Sequence, residues 1–338
     1  MKVLVYLGYQ NQDLDPDLIN SGMGGTEVAA LNLSEGLAKW GYETYLGGQV
    51  KSGSRNGVTW LTIEECKKHH FDFVIAASYL HYLKEFSNFD KSFFWFHNID
   101  FHPWFRGEAV IGQEWLEDPR LTEVIALTNW HANSLKETYN ISKPISVIGN
   151  SINRDTFPRW EVKKEPCSFI YSSARERGLY RLLELWPDLK KSMPEATLRV
   201  FGPSYDVDNS QLPKLNGVHY MGSVDQMTLH TWQMKSEYWL HPTAYEETYC
   251  ITALEMQYAG CIPITTNLAA LTEVVSDRGF LMNLDETNAD FISIVKAIHG
   301  SPELKSKLRR KANEWAKQQS WKFRIEEWVN LLKKYEDR

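Results

Sequence analysis

The sequence predicts an α/β protein built from two doubly wound, Rossmann-like domains. Three observations predict it. Short apolar runs alternate with amphipathic helical segments through the first 148 of the 338 residues. The alternation then breaks in a polar, irregular stretch at 149–164, which contains Pro158. Beyond the break it restarts and runs to about residue 282. Alternation of this kind specifies a mostly parallel sheet with helices on both faces. A chain of this length has room for two domains of ordinary size.

Taken in order, residues 2–7 read as an apolar strand. Residues 26–40 place Val28, Leu31, Leu33 and Leu37 at helical spacing and stop at Gly41. Strands follow at 44–47 and 71–76, then a helix containing Leu80 and Leu83, then strands at 92–96 and 123–127. A helix at 129–139 and a strand at 144–148 close the first series. The second series opens with a strand at 168–172 and a helix at 178–193 that Pro187 bends. Strands at 197–201 and 218–221 precede a helix at 227–235, and further strands lie at 238–241, 262–265 and 280–282. Residues 302–338 are helical and rich in Trp (Trp315, Trp321, Trp328), with an interruption at Gln319 and Ser320.

Composition excludes several classes. A net charge of −6 argues against a general nucleic-acid binder. Cys66, Cys167, Cys250 and Cys261 show no CxxC spacing, so they imply neither a zinc site nor a disulfide framework. Two of them fall in an apolar run, where the expected role is a small buried hydrophobe. The opening run MKVLVYLG reads as a strand, so no cleaved leader is expected. No stretch approaches the ~20 apolar residues of a membrane span. A cytoplasmic protein is the expectation.

The richest stretch is 241–264, HPTAYEETYCITALEMQYAGCIPI. Glu247 lies in a loop, and Glu255 lies inside a helix that closes on Gly260 at C′. Seven residues separate the two acids. Backbone N–H groups near Tyr249, Cys250 and Ile251 would open the helix and could hold an anion. One acid would face whatever hangs from that anion, and the other could hold ribose hydroxyls. This element resembles the Glu-x7-Glu signature of retaining glycosyltransferases of the GT-B fold, in particular glycosyltransferase family 4. The chain keeps both acids, the helix and the Gly before the strand. It departs where the family has two glycines, here Thr248 and Cys250.

The resemblance extends over nearly the whole chain. It implies a GT-B architecture, two Rossmann-like doubly wound domains facing a central cleft. The expected divisions are an acceptor-side domain at 1–155, a nucleotide-sugar donor domain at 156–318, and a helix at 319–338 crossing back to the first domain. GGTE, with Gly24 and Gly25 before Thr26 and Glu27, is similar to the family's glycine pair against the donor phosphates. Gly22 precedes it. His97, at the carboxyl end of the aromatic strand in KSFFWFHNID, matches a family histidine that faces the donor sugar. His102, Trp104 and Phe105 follow in a loop where rings could stack on an acceptor or pack in a core.

In FIYSSARERG, Arg177 matches the family lysine that neutralises the departing diphosphate. The family arginine position is Ser172 here, so one charge is missing or has moved to Arg175. Gly222, Ser223 and Val224 match the strand end that meets the nucleobase. Thr248, Tyr249, Cys250, Ile251 and Glu255 complete the expected donor site. In TTNLAALTEVV, Ala269 and Ala270 stand where the family has glycines.

By resemblance the catalytic set is His97, Glu247 and Arg177. The reaction is a retaining glycosyl transfer from a nucleoside-diphosphate sugar, UDP- or GDP-linked, to a glycan, glycoconjugate or lipid-linked hydroxyl. Typical members need no cofactor and no bound metal. The acidic run DLDPD at 13–17 lies in a loop and reads as solvated. Relatives with lipid acceptors contact membranes peripherally, but the basic cluster at 305–311 is too modest to carry that reading here. Two alternatives stay open: a nucleotide-sugar epimerase or phosphorylase of the same architecture, and a catalytically silent nucleotide-sugar-binding module.

Overall fold

The computed structural model describes residues 1–9, 13–17, 24–99, 113–202 and 212–336. It divides into two units, Met1–Ser151 with Trp321–Arg338, and Ile152–Ser320.

The first unit begins with β1 (Lys2–Tyr6), α1 (Gly25–Trp40), β2 (Glu43–Gly48), β3 (Gly53–Arg55), β4 (Val58–Thr62) and α2 (Ile63–Cys66). It continues with β5 (Phe71–Ala77), α3 (Tyr82–Glu85), β6 (Phe89–Trp95), β7 (Leu121–Ala126), α4 (Asn129–Tyr139) and β8 (Ile145–Val147). The strands form one sheet in the order β3-β4-β2-β1-β5-β6-β7-β8. Every pairing is parallel except β3 with β4. The central strands are apolar on both faces because helices cover both: Val3, Leu4 and Val5 are fully buried, as are Val74 and Ile75. Gly41 ends α1 in the left-handed region at φ 112°, as the Gly stop predicts.

The second unit holds β9 (Ser168–Ser172), α5 (Leu179–Ser192), β10 (Thr197–Phe201), β11 (Val218–Gly222), α6 (Gln226–Lys235) and β12 (Tyr238–His241). After these come α7 (Ile251–Tyr258), β13 (Ile262–Thr266), α8 (Leu271–Val274), β14 (Phe280–Met282), α9 (Asn288–His299) and α10 (Pro302–Gln318). Its sheet is wholly parallel, ordered β11-β10-β9-β12-β13-β14. The strand order reverses between β9 and β12, and ligands of open α/β sheets bind at such a switch point, outside the carboxyl ends.

The last helix, α11 (Trp321–Glu336), belongs to the first unit. Trp328 packs edge-on against Trp95 at 5.1 Å, and Tyr335 packs against Phe93 at 5.6 Å. Ile325 lies where a side chain at Gly36 of α1 would stand. The Tyr335 hydroxyl donates to the buried Glu123 carboxylate at 2.6 Å. The interruption expected at Gln319 and Ser320 separates α10 from α11.

Several elements depart from the sequence expectation, α2 and α8 among them. The helix around Leu80 and Leu83 is a single turn. The pair β3 and β4 was not anticipated, because β3 is a short polar strand at a sheet edge. Helix α9 was also not anticipated, although Thr287 and Asp290 form a capping box at its start.

Candidate functional site

The carboxyl ends of β9 and β12 bring together two side chains far apart in sequence. After β9 the chain makes a 3-10 turn, Arg175–Arg177, that ends at Gly178 with φ 113°. A Cβ at Gly178 would stand 3.0 Å from the Pro242 carbonyl oxygen and 3.1 Å from Thr243 Cα. Only glycine gives both that φ and that close approach to the loop after β12. The approach puts Arg177 beside Glu247: Nη1 donates to both carboxylate oxygens at 2.8 Å. The guanidinium also lies over the Tyr245 ring, 4.4 Å from its centroid, a cation–π contact.

Glu247 is 6% exposed. Burial holds its carboxyl above the usual carboxylate range, and the Arg177 charge and hydrogen bonds offset only part of that. Burial opposes the charge on Arg177, but Glu247 and Tyr245 hold its pKa above the ordinary value. Beneath the pair lies His241, the last residue of β12. It is fully buried, stacked on Trp239 at 4.6 Å, and neither ring nitrogen has a protein partner. Burial and the nearby Arg177 charge drive its pKa down to about 3, so the ring is neutral.

Helix α7 starts at this place. Its N-cap, Cys250, adopts φ 70°, with no side-chain cap. Thus the cysteine takes the left-handed conformation that a glycine would adopt freely, at a cost of about 1–2 kcal/mol. The N–H groups of Ile251 and Thr252, in the first turn, have no partner within the helix. Tyr249 and Cys250 are buried, and Thr248 is 9% exposed. Ala269 likewise adopts φ 50°, and the N–H of Ala270 donates to the Glu247 carbonyl at 3.1 Å. Positions where the resembling family has glycine therefore keep glycine-like backbone at Cys250 and Ala269.

Glu255, four residues into α7, stands in another environment. Gln233 Nε2 donates to it at 3.2 Å, and His230 Nε2 lies 3.6 Å from its other oxygen. The His230 ring is stacked flat on Phe157 at 3.8 Å and bonds the Thr156 carbonyl through Nδ1. Arg175 is half-buried in its 3-10 turn, and the Ser172 hydroxyl is buried without a partner. Gly222, at φ 69°, ends the edge strand β11, with Ser223 exposed and Val224 half-buried after it.

In the first unit, His97 follows β6 at its carboxyl end and is 8% exposed. Its N–H donates to Ser78 Oγ at 3.1 Å, and its ring stands edge-on to Trp95 at 4.3 Å. Burial holds the imidazole down to about 3, with His131 adding to the effect. His131 accepts from the Leu127 N–H on Nδ1 at 3.2 Å, so Nε2–H donates to the Asn98 carbonyl at 3.0 Å. It thereby pins the backbone that follows His97. Gly24 and Gly25 open α1, and the Glu27 carboxylate folds back to where a Cβ on Gly24 would stand. An anion at this helix start would share its N–H groups with that carboxylate. Gly22, His102, Trp104 and Phe105 lie outside the described residues. The acids of 13–17 are not simply solvated: Asp15 pairs with Lys51 at 2.7 Å, and Asp13 accepts from Gln49.

Sequence reasoning missed His131, Tyr245, Gln233, His230 and His241. Of these, only His241 carried a signal, as a histidine at the end of an apolar strand. Cys250 and Cys261 are buried as the apolar run implies, and Cys66 and Cys167 are buried too. No helix among the described residues is long and apolar enough to cross a membrane.

Residues 168–299 match the family model described as glycosyl transferases group 1. A phosphatidyl-myo-inositol mannosyltransferase of Propionibacterium freudenreichii subsp. shermanii is 25% identical over 167 residues. That match takes in 47% of this chain and 42% of the relative, so the chain spans less than half of the curated relative it matches. Among solved structures, a sucrose-phosphate synthase from Thermosynechococcus elongatus superposes with a TM-score of 0.75 at 13% identity, covering 99% of this chain and 98% of that one. Anabaena HepE, solved in complex with UDP-glucose, gives 0.70 at 13% identity, with 99% and 100% covered. The chain has the GT-B fold, and the unit that holds Arg177, Glu247 and Glu255 carries the match to group 1 glycosyltransferases.

Proposed function

We propose that the protein is a glycosyltransferase that moves a sugar from a nucleoside-diphosphate sugar to an acceptor hydroxyl, with retention at the anomeric carbon. The observation that carries the reading is the Arg177–Glu247 pair, held by Gly178 at the first turn of α7 within the matched segment. Such a place can stabilise a charge that develops on a leaving diphosphate. A guanidinium has five N–H donors in a fixed fork. Nη1 serves Glu247, and the rest of the fork can meet phosphate oxygens. The N–H groups at the start of α7 add a partial positive charge aimed at the same anion. Glu247, acceptor-only when ionised, holds donor-sugar hydroxyls. His97, neutral at every working pH, offers the sugar one donor or acceptor without a competing charge. Glu255 takes the ribose hydroxyls. Departure of the diphosphate breaks the anomeric C–O bond, the acceptor oxygen forms the new one on the same face, and the departing phosphate takes the acceptor proton. This scheme uses no metal ion and no cofactor. A UDP-sugar donor is favoured by the UDP-glucose bound in the Anabaena structure. The acceptor is a glycan or glycoconjugate.

The test is a melting panel of the purified chain with UDP, GDP, ADP and their sugars. It is followed by nucleoside-diphosphate release with and without a sugar acceptor, and anomeric NMR of the product. A ligand at a hundred times its Kd adds about 2.7 kcal/mol of stability. Donor binding with no diphosphate release under any acceptor would overturn the reading in favour of a silent binding module. Conversion of the donor sugar without an acceptor would replace it with an epimerase.

A further inference from the structure

The second unit has a group of side chains at the opposite edge of its sheet, before the strands begin. Cys167 precedes β9, Glu195 precedes β10, and His299 ends α9. A thiol sulfur, a carboxylate oxygen and an imidazole nitrogen from these three all lie within 4.8 Å of one another. His299 Nε2 is 3.8 Å from the Glu195 carboxylate. The strands between this group and the Arg177–Glu247 pair are about five residues long, roughly 17 Å at 3.3 Å per residue. The group therefore takes no part in the site already described.

The geometry points to a binding site for one thiophilic divalent cation of the zinc type, with Cys167 Sγ, a Glu195 oxygen and His299 Nε2 as ligands and water in the fourth position. Thiolate, imidazole and carboxylate are the zinc donor set. A tetrahedral zinc with bonds of about 2.0–2.3 Å keeps its ligand atoms roughly 3.3–3.7 Å apart. The contraction needed is small, and Glu195, more than half exposed, can supply it.

Two surrounding features suit that role. The first is the far side of the imidazole. His299 Nδ1 lies 3.1 Å from the Tyr238 hydroxyl, which is anchored in β12, and 4.0 Å from Glu237. With Nδ1–H donating to the Tyr238 oxygen, Nε2 carries the lone pair on the Glu195 side, as zinc-bound histidines require. The second is the backbone at Cys167, which adopts φ 52° although it is not glycine. Its N–H donates to Glu237 at 2.9 Å, which fixes the thiol in place. Nearby cations are spent on other groups. Arg309 and Lys305 pair with Glu237, and Lys190 donates to the Pro194 and Ala196 carbonyls. Burial and the neighbouring carboxylates push the free thiol up to about 12. Metal binding replaces that proton: the S–H bond breaks, an S–metal bond forms, and one proton goes to solvent with no redox change.

Zinc titration of the full chain against a chromogenic chelator tests the assignment. One zinc per chain is expected, with release of about one proton. Affinity should fall at least tenfold in Glu195→Gln and in His299→Gln, about tenfold in Tyr238→Phe, and further in Cys167→Ala. Glu195 is a surface residue, so its variant reports on the site even if Cys167→Ala folds poorly. Cobalt on the unaltered chain gives an independent readout, a thiolate charge-transfer band in the near ultraviolet that vanishes when zinc is added. No stoichiometric zinc, no such band, or unchanged affinity in Glu195→Gln and His299→Gln would overturn the proposal.

Discussion

At the carboxyl ends of its strands the first unit gathers imidazoles that burial keeps neutral, whereas the second adds a guanidinium hydrogen-bonded to a carboxylate. His97 and His131 belong to the first group, Arg177 and Glu247 to the second. The two sheets share a topology class but differ in what their loops hold. A diphosphate needs fixed positive charge beside open N–H groups, and in the second unit Arg177 and the start of α7 supply both. A sugar or an acceptor hydroxyl is uncharged and is best met by neutral hydrogen-bonding groups. Two copies of one architecture have thus been specialised by a few side chains at equivalent ends.

The largest effect should come from breaking the charged side. Arg177→Ala or Glu247→Ala is expected to lower turnover by about 10²–10³, as the loss of one preorganised electrostatic contact does. His97→Ala removes a neutral hydrogen bond worth about 0.5–1.5 kcal/mol, or roughly tenfold at most. Diphosphate-release kinetics of the three variants check this, and equal losses in all three would end the contrast.

Acid should sharpen it next. Burial drives His97 and His241 down to about 3 and His131 down to about 4. Each folded value lies below the unfolded value of about 6.5. Each imidazole therefore contributes stability that is complete above that value and is lost as pH falls toward the folded pKa. By pH 5 the loss is about 2 kcal/mol for each. Glu247, raised by burial, acts in the opposite sense and favours the fold as pH falls. Melting curves between pH 7.5 and 5 should show a falling midpoint, with a weaker dependence in His131→Asn.

Gly178→Ala should cost about 1–3 kcal/mol, since the new methyl meets the 242–243 backbone at a φ that side chains avoid. Urea unfolding measures the cost, and turnover should fall with it because Arg177 is displaced from Glu247. The smallest effect is expected at Ala269. Replacing it with glycine relieves about 1–2 kcal/mol of left-handed strain and loses about 0.5–1 kcal/mol to the freer unfolded chain. A net gain between zero and about 1.5 kcal/mol should appear in the same urea assay.

Much of the fold was legible because its strands are buried on both faces and read as continuous apolar runs. β9, β10 and β12 begin and end where the sequence placed them. β3 was not legible, because GSR carries no apolar period at all. α9 carried a cap and apolar residues at Phe291, Val295 and Ile298, and it could have been found. At the site, residue types were legible and partnerships were not. Arg177 and Glu247 were assigned to separate parts of a ligand, yet here they hold each other. That meeting depends on β9 and β12 being neighbours in the sheet and on Gly178 touching the loop after β12, facts of topology that no local window contains. The same holds for Cys167, Glu195 and His299, which no motif spacing connects.

The return of α11 to the first unit has a consequence for synthesis. Trp95, Phe93 and the groove at Gly36 are covered by a helix that leaves the ribosome only after all of the second unit. The second unit is contiguous and can fold as it emerges. The first must wait with an apolar strip uncovered, so during translation the half made earlier is the half completed last.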